Sequence, residues 1–236
     1  CIELAAAPRG ASVTDSKSTY TPPLRYNWLT PIYDTVIRAL TRETAWRSAL
    51  IQQIAPSSAD RILDVGCGTG TLAVELNRLV PEAEIIGIDP DATALERALA
   101  KADSSSRSLR FLEGFLSESS LPLNWKPTKI VSSLVFHQTP ETMKRALLFT
   151  MRDQLAENGE IHIADYGFQK GPVMRALFRM TVQMLDGVAD TQPNADGILP
   201  ELMREVGLTV DEGRILPTPT GSISLYRAMP RGMQQP

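Results

Sequence analysis

The sequence predicts an α/β fold, a doubly wound and mostly parallel sheet with helices on both faces. Three observations carry this. Short aliphatic runs alternate with longer segments of helical period, and a repeated strand-then-helix order requires parallel pairing, because a tight turn joins only antiparallel strands. The runs EIIGI and KIVSSLVF are nearly continuous aliphatics, which suits strands buried on both faces. Near the end, LTVDEGRILPTPTGSISLYRAM reads as two strands joined by a Pro/Gly turn, an antiparallel hairpin at the sheet's edge.

The elements run in this order. Residues 1–23, rich in Ala, Ser, Thr and Pro without an apolar period, are a flexible leader with no assigned fold. Residues 24–56 are a helical lead-in, with apolar positions at Val36, Ile37 and Leu40, then Trp46, Leu50 and Ile54, broken at Pro31 and Pro56. Residues 60–168 form the core, with strands RILDVG, AEIIGID, LRFLEG, KIVSSLVF and GEIHIAD. Its helices are TLAVELNRLV, DATALERALAKA and TPETMKRALLFTMRDQLA. Residues 169–206 are cap helices, beginning with one from about Pro172 to Leu185, and residues 207–229 are the hairpin. The result is a seven-stranded, Rossmann-like sheet in a single domain, 24–236.

Composition narrows the function. At 236 residues and 43% hydrophobic, the chain buries one substantial core. Twenty-four basic against 27 acidic residues, with no Lys/Arg block, argue against a nucleic-acid partner. Cys1 and Cys67 build neither a disulfide framework nor a four-cysteine zinc site, which points to a reducing, cytoplasmic setting. No run of ~18 apolar residues predicts stable membrane insertion. The start at Cys1 is read as a truncation rather than as a processed lipoprotein.

The stretch ILDVGCGTG, Ile62 to Gly70, places three glycines where the first core strand meets its helix, beyond the carboxyl end of a parallel strand where ligands bind. Gly66, Gly68 and Gly70 leave backbone and free helix N–H groups facing a ligand. In GIDPD, Asp89 stands where a carboxylate accepts both hydroxyls of a ribose. An adenosine-type ligand is implied; the structural alternative is a tight turn with Asp89, Pro90 and Asp91 starting a helix. The spacing G-x-G-x-G brings the third glycine one residue earlier than in the dinucleotide fingerprint. That spacing, and the lack of a Tyr-x-x-x-Lys pair near the fifth strand, disfavour an NAD(P)-dependent oxidoreductase, which stays as an alternative.

ILDVGCGTG followed by GIDPD resembles the first two motifs of the class I S-adenosylmethionine-dependent methyltransferases, and LAENGEIHIADYG resembles a later strand of that family. YNWLTPIYD and SSLVFHQ are similar, more narrowly, to the methyltransferases of ubiquinone and menaquinone biosynthesis. The resemblance spans roughly residues 26–228 and implies S-adenosyl-L-methionine as cofactor. It implies that Asp64 and the backbone of Gly66, Cys67, Gly68 and Gly70 hold the methionine part. It further implies Asp89 with Pro90 at the ribose, Glu113 and Gly114 near the adenine, and Phe115 against its ring. Tyr26 and Tyr33 would line a lid over the acceptor. Cys67 reads otherwise as a small residue in a crowded turn.

Methyl transfer from a sulfonium is an in-line displacement with an excellent leaving group, so alignment and exclusion of water supply most of the rate. A base helps where the acceptor is a hydroxyl or an acidic carbon. His137 is the candidate base, and Asp165 is placed to orient an acceptor; each has a structural alternative, loop bonding for His137 and loop capping for Asp165. Tyr166 faces the site edge, whereas His162 reads as a packed strand residue. The helix GPVMRALFRMTVQMLDG carries Met174, Leu177, Phe178, Met180, Met184 and Leu185, either an adaptable apolar wall for the acceptor or ordinary core or homodimer packing. Asn194 and Asp196 come after it as polar contacts. No N/D-P-P-Y/F motif, no placed cysteine nucleophile and no acidic metal ligands stand after the fourth strand, which leaves a small, apolar or aromatic acceptor and no metal. A catalytically inactive ligand-binding protein of the same fold is the remaining alternative.

Overall fold

The computed structural model describes residues 5–6, 42–103 and 106–232. The seven predicted strands are present as β2 (Arg61–Val65), β3 (Glu84–Asp89), β4 (Leu109–Glu113), β5 (Lys129–Ser133), β6 (Glu160–Tyr166), β7 (Leu208–Thr218) and β8 (Gly221–Pro230). A two-residue strand, β1 (Ala5–Ala6), adds an eighth at one edge, in the segment whose sequence shows no apolar period. The order is β1-β4-β3-β2-β5-β6-β8-β7. Neighbours are parallel from β1 through β6, while β8 runs antiparallel between β6 and β7.

Alternation along each strand builds two cores, because successive side chains point to opposite faces. Ile62, Ile85 and Val131 pack on one face with Trp46, Leu50 and Ile54 of α1 (Glu43–Ile54) and with Leu72 and Leu76 of α2 (Thr71–Leu79). Leu95 and Ala98 of α3 (Ala92–Lys101) complete that cluster. Leu63, Ile86, Ile130, Ile161 and Ile163 pack on the other face against Leu148 and Met151 of α4 (Glu141–Gln154).

Two elements depart from the sequence reading. KIVSSLVF stops being a strand at Ser133, because Leu134 adopts a left-handed conformation (φ 57) and its N–H bonds Ala164 O; a 3-10 turn, Phe136–Gln138, comes next. The helix read from Pro172 to Leu185 is α5 (Gly171–Phe178), a π-helical turn (Arg179–Gln183) and a last turn (Met184–Asp186). Thr181 lies in that π turn and donates to Leu177 O (2.7 Å), and such back-bonding hydroxyls bend helices. The extra residue of a π turn rotates the helix beyond it, so the Met-rich face does not stay on one side: Phe178 and Val182 are buried, while Met180, Met184 and Leu185 are exposed. Two further cap helices, α6 (Val188–Ala195) and α7 (Leu199–Glu205), lead to the hairpin. Its second strand, not its first, joins the sheet, since β8 is the more buried of the two.

The chain winds outward from β2 in both directions, so strand order reverses between β2 and β5 and a crevice opens at their carboxyl ends. His162 lies away from it, fully buried in β6, with Nδ1 3.3 Å from Gln53 Nε2 and Nε2 3.3 Å from Glu160. At the crevice, Gly70 (φ 67) has no room for a side chain: a Cβ there falls 2.6 Å from Ala98 Cβ and 2.8 Å from Phe111 Cζ, whereas one on Gly68 (φ 52) meets nothing within 4 Å. Gly70→Ala is therefore expected to cost about 2–3 kcal/mol, backbone strain plus overpacking, and Gly68→Ala only about 1 kcal/mol, by urea denaturation. Equal losses would refute the packing account.

Candidate functional site

The carboxyl ends of β2, β3 and β4 supply the first half of the site. Gly66 N and Cys67 N both donate to Ile88 O (2.9 and 3.2 Å), which folds the glycine loop back over β3. Asp89, at the end of β3, ties the loop down further: Oδ2 accepts from Gly68 N (2.8 Å) and Oδ1 from Asp91 N (2.9 Å). The helix cap is Asp91, which accepts from Thr93 N and Ala94 N, with the half-buried Pro90 between the two acids. Each Asp89 oxygen uses one N–H, which leaves lone pairs on both for two hydroxyls. Burial raises the Asp89 carboxyl, opposed by the N–H groups of Asp91 and Gly68.

Asp64 is the anomaly. It is fully buried, and among the described residues neither carboxylate oxygen makes a full hydrogen bond, although the Ala73 backbone N–H in the first turn of α2 acts on it. Burial, helped by the charge of Asp89 and opposed by that of Arg47 and by the backbone N–H of Ala73, pushes its pKa up to about 7. An ionised carboxylate so placed is costly unless a cation meets it. Cys67, half-buried beside it, has its thiol held well above the usual range by burial and then by Asp64 and Asp89, so it is not an activated nucleophile. Lys101, at the end of α3, clamps the loop from outside, with Nζ bonded to Thr69 O (2.9 Å), Thr69 Oγ1 (2.6 Å) and Thr71 Oγ1 (2.9 Å). At the β4 end, Gly114 N donates to Asp89 O (3.0 Å), Glu113 is exposed, and the Phe115 ring is 57% exposed at the rim.

The second half lies where β5 and β6 end. Asp165 is fully buried and accepts from Phe136 N (2.6 Å), His137 N (3.3 Å) and Tyr166 N (2.7 Å). It also holds His137 Nδ1 at 2.8 Å, while Asp186 Oδ2 stands 3.5 Å from Nε2. A carboxylate at each ring nitrogen favours the doubly protonated, imidazolium form of His137. Burial alone would lower its pKa; the charge and hydrogen bond of Asp165, joined by Asp186, override that and raise it to about 9.

Tyr166 is turned inward, its hydroxyl 2.7 Å from Thr220 Oγ1 and its ring edge-on to His137 (5.1 Å) and against Phe178 (5.3 Å); burial raises it to about 12. Phe178 is core, and Met174 is half-buried. Asn194 is buried and donates to Tyr166 O (2.9 Å), whereas Asp196 pairs on the surface with Arg175 (3.0 Å). Tyr26 and Tyr33 lie outside the described residues. Asp186, Lys101 and the fully buried Lys144, whose Nζ holds Asp190 O at 2.8 Å, were not legible as site groups. Each reads in sequence as a charge on an amphipathic helix, and only tertiary packing gives it a partner.

Among the described residues no helix is long and apolar enough to cross a membrane, and no group of three or more His, Cys, Asp or Glu side chains could hold a metal ion.

Comparison with known proteins agrees with this geometry. Residues 62–159 match the family described as a methyltransferase domain. The chain is 38% identical over 88 residues to a demethylmenaquinone methyltransferase of Deinococcus radiodurans, covering 36% of each protein. It is 27% identical over 161 residues to a ubiquinone/menaquinone biosynthesis C-methyltransferase of Syntrophotalea carbinolica, covering 67% of this chain and 66% of that one. The chain thus spans about a third to two thirds of the length of these curated relatives. In fold it is similar to the magnesium protoporphyrin IX methyltransferase of Synechocystis with bound S-adenosylhomocysteine: TM-score 0.63, 16% identity, 82% of this chain and 86% of that one. By the match at residues 62–159 and by its fold, the chain is similar to the class I S-adenosylmethionine-dependent methyltransferases.

Proposed function

We propose that this chain transfers a methyl group from S-adenosylmethionine to a small, apolar or aromatic organic acceptor. The buried Asp64, which lacks a full hydrogen bond, carries the reading: a carboxylate at the glycine loop fits a cationic ligand and repels the pyrophosphate of a nicotinamide dinucleotide. Asp64 takes the α-ammonium, the backbone from Gly66 to Gly70 with Cys67 lies along the methionine chain, and the free lone pairs of Asp89 accept the ribose hydroxyls beside Pro90. Glu113 and Gly114 flank the adenine, and Phe115, at the rim, lies on its ring. Bound there, the cofactor supplies an electrophilic methyl on a sulfonium, which an acceptor takes by in-line displacement as a neutral thioether leaves.

On the acceptor side, Asp165 orients His137, and the charged imidazole donates from Nε2 to an acceptor oxygen once Asp186 gives way. An acidic acceptor is thereby held as its anion rather than deprotonated by a neutral histidine. Tyr166 and Phe178 form the rigid wall behind His137, with Met174 at its margin. Tyr26 and Tyr33 remain the candidates for covering the acceptor from the lead-in.

Calorimetric titration is expected to show micromolar binding of S-adenosylhomocysteine and none of NADH. Asp89→Ala should weaken binding by about 2 kcal/mol, as for lost charged hydrogen bonds. Binding of NADH alone overturns the reading.

Asp64 has a folded pKa above its unfolded value, so the folded chain holds an extra proton between the two. Stability of the ligand-free protein should fall as pH rises from about 4 to about 7 and then level off. S-adenosylhomocysteine affinity should rise through the same pH, and Asp64→Asn should flatten the stability slope, leaving the part due to the likewise raised Asp89, while weakening the ligand. A pH-independent affinity in the wild type would exclude Asp64 as the ammonium partner.

Only two histidines are present, so their ring resonances are readily assigned. His137 should stay doubly protonated until about pH 9, and Asp186→Asn should lower that midpoint. A His137 neutral at pH 7 would return it to the role of base.

A further inference from the structure

The outward face of the cap is apolar, and charge is divided along it. Val173 and Ala176 of α5, Met180 of the π turn and Met184 of the last turn are all exposed, at 67% for Val173, 72% for Met180 and 80% for Met184. Spacings of three and four residues keep them in one stripe about 17 Å long, at a rise of about 1.5 Å per residue. Leu185 and Val188, also exposed, continue it. From Tyr166 to Leu185 the charged side chains are Lys170, Arg175 and Arg179, all basic. From Met180 to Pro200 they are Asp186, Asp190 and Asp196, all acidic. Arg175 and Asp196 pair within the chain (3.0 Å), so Lys170, exposed, marks the basic end and Asp190, half-buried, the acidic end. The division falls at Met180, in the middle of the stripe.

We propose that this face binds a second copy of the chain, stripe on stripe and antiparallel, about a two-fold axis at Met180. A two-fold interface applies one patch to itself, so each residue meets the one equally far on the other side of the axis. Met180 then faces Met180, the small Ala176 faces Met184, and the Lys170 end of each copy lies along the Asp190 end of the other. Small against large lets the helices approach, and methionine fills the irregular step left by the π turn. The charge pattern selects this occupant. A parallel pair sets like charge against like, and an acidic lipid surface attracts only the basic half and repels the other. One helix from each copy is a small contact, so the dimer is reversible and micromolar. The inference goes beyond the cofactor reading and does not depend on it. It bears on the acceptor side, because Asp186, which meets His137, ends the element that the second copy holds in place.

Sedimentation velocity of the full chain, from about 1 to about 200 µM, tests this; wild type should pass reversibly from monomer to dimer. Met180→Asp, an exposed change, should weaken association at least about 10-fold and move the thermal midpoint by no more than about 2 °C. Lys170→Glu alone and Asp190→Lys alone should each weaken it about 3- to 10-fold, and the double variant should restore it, because the exchanged pair meets across the axis. In a Cys1→Ser background, Met180→Cys should give a disulfide-linked dimer under mild oxidation. Val173→Cys should not, since its two copies stand about 21 Å apart along the helices, against about 7 Å for a disulfide. Charge variants without effect, a double exchange that fails to restore, or a dimer untouched by Met180→Asp overturn the interface. Wild type that stays monomeric overturns it too, and two further readouts then say what the stripe meets. Slow maleimide labelling of Met180→Cys shows it covered by another part of the chain. Cosedimentation with phosphatidylglycerol vesicles, abolished by Met180→Asp, assigns it to lipid.

Discussion

Everything at the crevice depends on how closely the 66–70 loop is pressed into the sheet. Side chains are excluded from two directions: a Cβ on Gly66 would fall 2.4 Å from Val135, and one on Gly70 would strike Ala98 and Phe111. Only Gly68 of the three faces open space. The three glycines therefore do different work: two let β2, β5 and α3 close around the turn, and one exposes backbone. Because Val135 belongs to the segment that leads into His137, the packing that shapes the cofactor half also fixes where the acceptor half begins.

The local signals were legible, and the reasons are physical. Parallel strands buried on both faces need continuous aliphatics, so Ile85–Ile88 and Ile130–Val131 stood out, and the loop glycines did so by their spacing. Interactions between charges far apart in the chain could not be read. Asp186 meets His137 across 49 positions only because a π turn at Thr181 and Gly187 (φ 85) set the end of α5 over the β5 end. Lys144, in the polar rhythm of TPETMKRALL, looks like a solvent-facing residue, yet it is fully buried beneath α6. The same π turn undid the apolar face inferred for Met180 and Met184. Helical period holds only while the helix is α.

The two halves have opposite electrostatic character. On the proposed cofactor side, Asp64 and Asp89 are acids whose carboxyls are raised by burial, so a cation bound beside them would favour their ionised forms. On the acceptor side of the proposed site, two acids flank His137 and favour its cationic form, with Lys144 buried behind them. Burial lowers the Lys144 ammonium, and the nearby Asp165 opposes that shift. Removing a single member leaves an uncompensated buried charge, which is why these groups couple rather than add.

This polarity suits the reaction proposed for the site. A sulfonium meeting an anionic acceptor turns two charges into none, and a low-dielectric crevice favours such annihilation over the separated ions, provided that each ion is first drawn in. In that proposal Asp64 draws in the cation and the His137 imidazolium the anion, and neither has to move for the other to act. The cost of holding those groups buried falls on the empty protein. Loop, strand and helix must therefore be rigid enough to keep Asp64 short of a full hydrogen bond without collapsing onto it, and the packing of Gly66 and Gly70 together with the Lys101 clamp supplies that rigidity.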